Sequence, residues 1–472
     1  MRYRSSYSSY SRRRRSSSKS AWVIILGLMV GAGVYMFTSP SFEREDPVIK
    51  SENNIYWNRK DPLKISISDN MGLKSYRVTI SDGKNSVVVA DELILDPFVK
   101  EKVIEVKYPS GAVDGVSLNP KATKFLVSVS ATDRSNWGFF QGNTAKKDIV
   151  VNIDYHRPDV NILANSYSIT QGGSALVVFQ VKDENLKDFY VKEGNKRFKV
   201  TPYKADGYYT TLVAWPFNQD HFSAKVVAED LAGNKRVVNI PYYIVSKKYK
   251  TSWIRATDKF IDGKISDLAE SNPQYALITD RIEKLKAINE DMRKANEDLI
   301  HEIASKVPTT MIDEWHIKPF YPLKNAKKVA SFGDHRHYYY KTKDNEVSES
   351  YHLGLDMAST KMATIISSNA GKVVFTENNG IYGNMPMIDH GLGLYTLYGH
   401  CSTILVQQDE LIEAGTPIAK TGMTGLALGD HLHFGVLVQG IEVRPEEWMD
   451  RRWIRNNIDN VFKEADSIIE GK

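Results

Sequence analysis

The chain of 472 residues contains a single cysteine, Cys401. One cysteine can form neither an intrachain disulfide nor a zinc site built from several thiolates. Any metal would therefore be held by histidine and carboxylate side chains. Only one uncharged hydrophobic run, residues 21–37, is long enough to span a bilayer, which excludes a transporter or channel. With 42% apolar residues the rest can bury cores, and the length suffices for roughly three domains.

An excess of charge is also missing outside the N-terminus. The net charge is +5, but residues 1–20 hold seven basic residues and no acidic one. The remaining chain has 55 basic and 57 acidic residues, a balance of −2. This near neutrality gives no argument for a nucleic-acid-binding surface, and we expect no nucleic-acid partner.

The N-terminus predicts a membrane anchor. Residues 1–20 are rich in Arg, Ser and Tyr and cannot bury a core, so we interpret them as a basic cytoplasmic tail. Residues 21–38 follow as a transmembrane helix of short length. The positive flank stays in the cytoplasm, which places the chain after about residue 40 on the other side. A cleaved signal peptide is the alternative, because residues 31–33 are small.

A duplicated β region comes next. Residues 63–68 and 125–129 alternate polar and apolar side chains, as half-buried strands do. A segment starting at Asp69 is echoed from Asp183, and another ending at Asp133 is echoed at Asp230. We predict two β-sandwich modules, 45–156 and 157–247, which resemble bacterial immunoglobulin-like domains. The repeated aspartates fit turns, with calcium binding as the alternative.

A helical segment is predicted at residues 248–307. Residues 278–307 contain no Gly or Pro, and apolar residues recur every seven positions from Ile278 through Leu285 and Met292 to Leu299. This predicts one amphipathic helix of roughly 45 Å. Its apolar stripe fits a coiled-coil seam and a face packed on a neighbouring domain equally well. Residues 255–270 could form a further helix.

Eight of the eleven histidines follow residue 312. In His352-Leu-Gly-Leu-Asp356, a histidine and an aspartate four residues apart can share one face. In His431-Leu-His433 the two histidines share one face of an apolar strand, which is costly unless they bind something. His400 follows another alternating stretch.

These residues suit a catalytic zinc site, which needs three protein ligands and an open position. Two further imidazoles remain to move protons or stabilise an oxyanion. Spacing alone does not tell whether His431 or His433 is the ligand. The chain has no His-Glu-x-x-His and no Gly-x-Ser-x-Gly, so a thermolysin-type helix or a serine nucleophile finds no support.

Residues 312–449 resemble the lysostaphin-type, or LytM-domain, zinc peptidases. The motifs that carry the resemblance are Ser331-Phe-Gly333, His352-Leu-Gly-Leu-Asp356, Ala370-Gly-Lys-Val-Val374, Tyr382-Gly-Asn384, Ile388-Asp-His-Gly-Leu-Gly393, Tyr398-Gly-His400, Gly415-Thr-Pro-Ile418, Thr421-Gly-Met-Thr-Gly425, His431-Leu-His-Phe434 and Val443-Arg-Pro445. The resemblance implies a small antiparallel β core at residues 308–450, followed by a closing helix at 451–472.

The resemblance also implies the roles of the site residues. His352, Asp356 and His433 would bind Zn²⁺, and His400 and His431 would be catalytic. Many relatives lack metal ligands and activate amidases instead, whereas every position is filled here. Two departures affect the rim only: Asp430 stands where Pro is common, and Arg444 where Asn is common.

Other residues are assigned from their neighbourhood. Tyr338, Tyr382 and Asn384 are candidates for the substrate groove. His390 precedes two glycines and fits a turn or a supporting role. Cys401 should be a small buried residue. The pair His335 and His337 would either approach the cleft or lie on a solvated loop.

The sequence thus predicts a mainly β, multidomain, single-pass protein of the bacterial inner membrane, with its N-terminus cytoplasmic and its catalytic domain periplasmic. The predicted activity is zinc endopeptidase cleavage of peptidoglycan peptide stems, with D-Ala–diaminopimelate cross-links as the expected bond by family analogy. The alternative is a non-catalytic scaffold that activates a partner hydrolase. Divisome or cell-shape proteins are candidate partners, and the oligomeric state stays open.

Overall fold

The computed structural model describes residues 18–52 and 54–471. The chain is mainly β and forms two compact units. One ends at His156 and includes Leu231–Gly233, and the other comprises Arg157–Asp230 and the chain from Asn234 onward. Most of the predicted basic tail lies outside the described residues.

The predicted anchor is one helix, α1 (Ser18–Thr38). Its segment Ala21–Thr38 has a mean hydropathy of 2.0 and no part of it is buried. By length and composition α1 can cross a membrane, although a signal sequence has the same properties.

Two sheets form the first β module. A three-stranded sheet has the order β1-β3-β6 and a five-stranded sheet the order β2-β8-β7-β4-β5. In β3 the burial alternates, with Leu63, Ile65 and Ile67 buried in the core that both sheets share. Two sheets around one core agree with a sandwich, while the immunoglobulin-like assignment stays a prediction. The strands are β1 (Val48–Lys50), β2 (Asn54–Trp57), β3 (Leu63–Ser68), β4 (Leu73–Ser81), β5 (Ser86–Leu93), β6 (Glu101–Val106), β7 (Lys124–Asp133) and β8 (Thr144–Ile153). A 3₁₀ turn, Pro40–Phe42, and the helical turn α2 (Trp137–Phe140) complete this part.

The second β module has two four-stranded sheets, β14-β15-β11-β9 and β13-β12-β16-β17, and a parallel pair β10-β18. The strands are β9 (Asp159–Asn165), β10 (Ser168–Thr170), β11 (Ser174–Lys182), β12 (Leu186–Glu193), β13 (Lys196–Phe198), β14 (Thr201–Pro202), β15 (Tyr208–Ala214), β16 (Lys225–Asp230), β17 (Lys235–Asn239) and β18 (Tyr243–Val245).

This second module shares one core with the C-terminal domain. Strand β11 is buried at eight consecutive positions, so both of its faces are covered. Trp448 Nε1 donates to Ser174 Oγ at 3.0 Å, and Glu447 accepts from the Ser174 backbone N–H at 3.1 Å. The second module and the C-terminal domain are therefore in direct contact.

The segment predicted as helical, residues 248–307, begins instead with a strand, β19 (Thr251–Arg255), which pairs in parallel with a strand of the C-terminal domain. Short helical pieces follow, and a continuous helical stretch runs from Arg281 to Ala304. Asp280 caps this stretch by accepting from the backbone N–H groups of Ile282 and Glu283, both at 2.9 Å. The pieces are α3 (Asp258–Phe260), a π segment Ile261–Ile265, α4 (Ser266–Glu270), α5 (Arg281–Lys286), a π segment Ala287–Met292 and α6 (Arg293–Ala304).

The predicted seven-residue stripe is wrong at its end. Leu285 and Met292 are buried, but the next buried apolar residue is Ile300 and Leu299 is 38% exposed. The π segment explains this, because its wider turns shift the buried face by one residue. The buried face packs against Met387 and Leu397 of the C-terminal domain, so the stripe is a packing face.

The C-terminal domain is built on an eight-stranded sheet. Its order is β20-β23-β31-β27-β26-β25-β29, with β32 paired to β31, and two three-stranded sheets, β19-β21-β22 and β24-β30-β28, flank it. The strands are β20 (Lys327–Ala330), β21 (Asp334–Tyr339), β22 (Glu346–His352), β23 (Leu355–Ala358), β24 (Thr364–Ile366), β25 (Gly371–Phe375), β26 (Met387–Asp389), β27 (Leu394–Gly399), β28 (Thr403–Ile404), β29 (Leu411–Ile412), β30 (Pro417–Lys420), β31 (Leu432–Val438) and β32 (Ile441–Val443).

The predicted closing helix is present in pieces and packs on β9 and β11 of the second module. Tyr203 donates from its hydroxyl to Asp466 at 2.6 Å. The pieces are α7 (Pro445–Trp448), α8 (Arg451–Ile454), a π segment Arg455–Asp459 and α9 (Asn460–Ile469), and a 3₁₀ turn lies at Gly380–Tyr382.

Candidate metal centre and catalytic cleft

Strand pairing brings the three predicted ligands together. Strands β23 and β31 are antiparallel, and Asp356 lies directly opposite His433 in their register. Opposite residues of an antiparallel pair point to the same face, so these side chains are neighbours. His352 is the last residue of β22, and only three residues separate it from Asp356. The chain therefore turns from one sheet into the next at the site.

The ligand atoms form a small triangle. His352 Nε2 lies 2.9 Å from Asp356 Oδ1 and 3.1 Å from His433 Nδ1. His433 Nδ1 lies 2.9 Å from the same carboxylate oxygen. All three residues are buried. Their separations are those of atoms that surround one small cation.

The hydrogen bonds around the triangle leave it rich in lone pairs. His352 donates its Nδ1–H to the Ser331 carbonyl at 2.8 Å, so its Nε2 faces the triangle with a lone pair. His433 Nε2 is buried and has no hydrogen-bond partner among the described residues. A cation at the triangle would accept lone pairs from His352 Nε2, His433 Nδ1 and the Asp356 carboxylate, so these three atoms fit a metal ion.

Gly354 makes room for this arrangement. A Cβ at this position would lie 2.4 Å from His433 Nε2 and 2.5 Å from its Cε1. Such distances are far inside van der Waals contact. The His433 ring therefore rests on the backbone of Gly354, and only glycine allows this close approach.

Charge in the cluster is set by burial and by its neighbours. Burial alone would raise the pKa of Asp356, but the adjacent imidazoles of His352 and His433 hold it well below its ordinary value. Burial lowers the pKa of His433 to about 4, against the opposing effect of Asp356. At neutral pH the cluster thus consists of a carboxylate and a neutral His433, which are the forms that bind a metal.

The two predicted catalytic histidines lie beside the triangle. The ring centroids of His400 and His431 are 4.8 Å apart, and His400 is 5.8 Å from His433. His431 Nε2 is 3.7 Å from Asp356 Oδ1. Each of the two donates Nδ1–H to a backbone carbonyl, His400 to Thr424 at 2.8 Å and His431 to Gly429 at 2.7 Å. Both rings therefore keep Nε2 for chemistry in the cleft.

His400 is held in an unusual backbone conformation. Its φ is +65°, which a residue with a side chain rarely adopts. Its N–H donates to the Tyr382 carbonyl at 2.7 Å, which helps to fix this conformation. Burial lowers the pKa of His400 to about 3, and the nearby His433 and His431 add to the effect. The ring is therefore neutral at neutral pH, and its Nε2 carries a lone pair.

The five residues open into one cavity of about 1260 Å³. Tyr338 and Tyr382, predicted for the substrate groove, line it, and the Tyr382 ring meets His433 edge-on at 5.4 Å. Asn384 is not part of the lining; its side-chain amide donates to the Cys401 carbonyl at 3.2 Å. The Asn384 side chain thus bonds the backbone next to His400, and its place in the groove stays a prediction.

Residues 350–445 match peptidase family M23. The chain carries an M23 peptidase domain of the LytM type. The match contains His352, Asp356, His400, His431 and His433. The predicted resemblance to LytM-type peptidases is therefore confirmed.

Similar curated proteins act on, or regulate enzymes of, the bacterial cell wall. The peptidoglycan DD-endopeptidase ShyB of Vibrio cholerae is 39% identical over 88 residues, which are 19% of this chain and 21% of ShyB. The murein hydrolase activator NlpD of Escherichia coli is 35% identical over 107 residues, 22% of this chain and 28% of NlpD. The chain thus spans less than a third of either relative. The catalytic domain of lysostaphin from Staphylococcus simulans aligns with 26% of this chain and 92% of that domain, at 23% identity and a TM-score of 0.22.

The sequence analysis missed two polar residues of the cleft that precede the M23 match. Arg336 lines the cavity and places Nη2 3.7 Å from Asp356 Oδ2. Asp334 is buried, lies opposite His352 in the β21–β22 pair and accepts from Ser252 Oγ at 2.8 Å. Strand alternation could have suggested them, but only the pairing of β21 with β22 shows that these positions face the M23 site.

The remaining histidines lie elsewhere. His390 is buried, with Nδ1 2.8 Å from the Ala370 carbonyl and Nε2 2.8 Å from Thr396 Oγ1, which is a supporting role. His335 and His337 are neither in the cleft nor on a loop. They lie on β21 at the positions that alternate with Asp334 and Arg336, and so face away from the cleft.

Cys401 is fully buried, as predicted, and burial raises the pKa of its thiol to about 12.

Proposed function

We propose that this chain is a membrane-anchored zinc endopeptidase that hydrolyses peptide cross-links of bacterial peptidoglycan. The observation that carries the proposal is the buried triangle of His352, Asp356 and His433 with two further histidines beside it. A complete ligand set of this kind suits catalysis better than a purely structural role. The endopeptidase activity named for ShyB supports the same substrate class.

His352, Asp356 and His433 would hold the zinc ion. When bound, zinc lowers the pKa of a coordinated water and polarises a carbonyl group. His400 is neutral and its Nε2 carries a lone pair, so in its catalytic role it would accept a hydrogen bond from water in the cleft and orient that water for attack. His431 offers Nε2 from the other side, near Asp356. Arg336 can orient the carboxylate of Asp356 or pair with a carboxylate of the substrate.

The cleft suits a peptide that carries carboxylates. More basic than acidic side chains line it. The acidic residues are Asp267, Asp334, Asp356 and Asp430. The basic residues are Lys250, Arg255, Lys259, Lys264, Arg293 and Arg336. Peptidoglycan stems present free carboxylates, and complementary charge would draw them into the cleft. A D-Ala–diaminopimelate cross-link is the bond we propose.

Helix α1 supports the proposed location. A single apolar helix at the N-terminus would anchor the protein in the inner membrane, and the basic tail before it would stay in the cytoplasm. The M23 domain would then lie in the periplasm, where its substrate is. The second β module would carry the domain, because the two share one core.

A second function has one specific observation in its favour. The similarity to NlpD, a murein hydrolase activator, extends over 107 residues. An activator would use the same fold to bind a partner hydrolase and would need no metal. The filled ligand set argues for the enzyme.

The test uses the purified full-length chain in detergent. Cross-linked peptidoglycan is digested with zinc-loaded protein, with and without a chelator, and the products are identified by mass spectrometry. We expect loss of cross-linked dimers that the chelator stops and added zinc restores. The product masses would name the bond.

Matched variants make the test specific. His352→Ala should abolish cleavage, whereas His316→Ala should leave it unchanged, since His316 is an exposed histidine that only pairs with Glu314. Full activity in His352→Ala would overturn the assignment. Stimulation of an added cell-wall amidase, with no cleavage by the zinc-loaded protein itself, would favour the activator.

A further inference from the structure

We propose that His335, His337 and Glu349 form a second site for a divalent transition metal such as zinc, on the face of the β21–β22 hairpin opposite to the catalytic cleft. This inference does not depend on the proposed function. It rests on the placement of three ligand-type side chains and on the aromatic rings that hold them.

Strand alternation separates the two sites. Along β21, Asp334 and Arg336 point into the cleft, so His335 and His337 point to the other face. In the β21–β22 register Glu349 lies directly opposite His337, so their side chains share that face. The same strands thus carry His352 toward one site and these three residues toward the other.

The three side chains already converge. Each offers one ligand atom, and these atoms all lie within 4.8 Å of one another. His335 Nε2 lies 2.9 Å from a carboxylate oxygen of Glu349, and the rings of His335 and His337 are 4.0 Å apart. Glu346 is a candidate fourth ligand, with its carboxylate 2.6 Å from His337 Nδ1.

Aromatic neighbours hold both imidazoles in place. Trp253 stacks on His337 at 4.7 Å and 17°, and Tyr351 stacks on His335 at 4.3 Å and 18°. Because the rings are already fixed, less conformational entropy is lost when they bind a metal ion. The side chain of Glu349 is 58% exposed, so it can rotate to close the remaining distance.

The donor set defines the class of metal. Two imidazoles and a carboxylate suit zinc, cobalt, nickel and copper, whereas calcium and magnesium prefer sites made of oxygen alone. Three protein ligands leave an open position, and the partly exposed location lets an ion enter from solvent. Binding would tie β21 to β22, the strand that ends at His352, a ligand of the first site.

The experiment measures zinc bound to the full-length chain in detergent, by competition with a chromophoric chelator and by elemental analysis. We expect about two zinc ions per wild-type chain and about one in the double variant His335→Gln/His337→Gln. His352→Ala should also retain about one, held by the second site. The matched control His316→Gln should retain two, because His316 pairs with a glutamate but has no second histidine.

Thermal stability gives a readout independent of stoichiometry and of activity. Added zinc should raise the Tm of His352→Ala, and it should not raise the Tm of the triple variant that also lacks His335 and His337. Melting without metal shows whether each variant is folded. The proposal would be overturned if a folded His335→Gln/His337→Gln variant bound as much zinc as the wild type, or if zinc left the Tm of a folded His352→Ala variant unchanged.

Discussion

Replacing Gly354 with alanine should weaken zinc binding although it removes no ligand. The new methyl group would lie 2.4 Å from His433 Nε2 and 3.0 Å from the Phe434 carbonyl oxygen. Comfortable contacts are ~3.5 Å or longer, so the His433 ring must retreat by about 1 Å. That movement takes Nδ1 out of the triangle with His352 and Asp356.

The size of the effect follows from the cost of overpacking. An extra methyl group in a well-packed site costs typically ~1–3 kcal/mol. If the strain is relieved by displacing His433, the zinc dissociation constant rises by about 5- to 150-fold, at ~1.4 kcal/mol for each factor of ten. Peptidoglycan cleavage should decrease as zinc binding weakens, at zinc concentrations that do not saturate the variant.

The assay is a chelator competition titration of the catalytic site in wild-type and variant chains. Gly429→Ala is the matched control, because Gly429 lines the same cavity and a Cβ there meets nothing within 4 Å. It should bind zinc as the wild type does. If Gly354→Ala bound zinc within twofold of Gly429→Ala, the close approach of His433 to this backbone would be refuted.

Three further predictions concern buried groups. Burial raises the pKa of Glu297 from its ordinary value of 4.5 to about 7. The nearby Arg293 lowers this pKa and Glu442 raises it further. The folded state therefore holds this proton more tightly than the unfolded state does. The free energy of unfolding should fall by up to about 3 kcal/mol as the pH rises from 4.5 to 7. Glu297→Gln should remove this loss, which denaturant titrations at pH 5 and pH 8 would measure. Burial lowers the pKa of His390 to about 4 from 6.5, so the free energy of unfolding should fall by a similar amount, about 3 kcal/mol, as pH drops through that interval, and His390→Gln should flatten the fall. The thiol of Cys401 should react with maleimide only after denaturation, as intact mass would show; labelling of the native chain would contradict its burial.

Much of the fold could be read from local patterns. Alternation in β3 marks a strand with one buried face, and the uncharged run of α1 marks a helix that can span a membrane. The helix after Asp280 was also predicted, and its buried face was predicted correctly at Leu285 and Met292 but not at Leu299. A π segment changes the phase of the stripe, and no seven-residue count anticipates it.

The candidate site was only partly readable. The residue types could be predicted, because a chain with a single cysteine could hold a metal ion only through histidine and carboxylate side chains. Asn384 was expected in the groove; its side chain donates to the Cys401 carbonyl, and its place in the groove stays a prediction. Arg336 was overlooked because a lone arginine between two histidines carries no signal until its strand is paired.

The sequence by itself determined that histidine and carboxylate side chains could hold a metal, and it marked strands such as β3, since composition and side-chain period are local properties. The tertiary structure alone decided which of these side chains meet. Spacing could not choose between His431 and His433, whereas the register of β23 with β31 sets His433 opposite Asp356. Pairing between distant strands depends on how the whole sheet packs, and the same pairing turns His335 and His337 away from the cleft that their neighbours line.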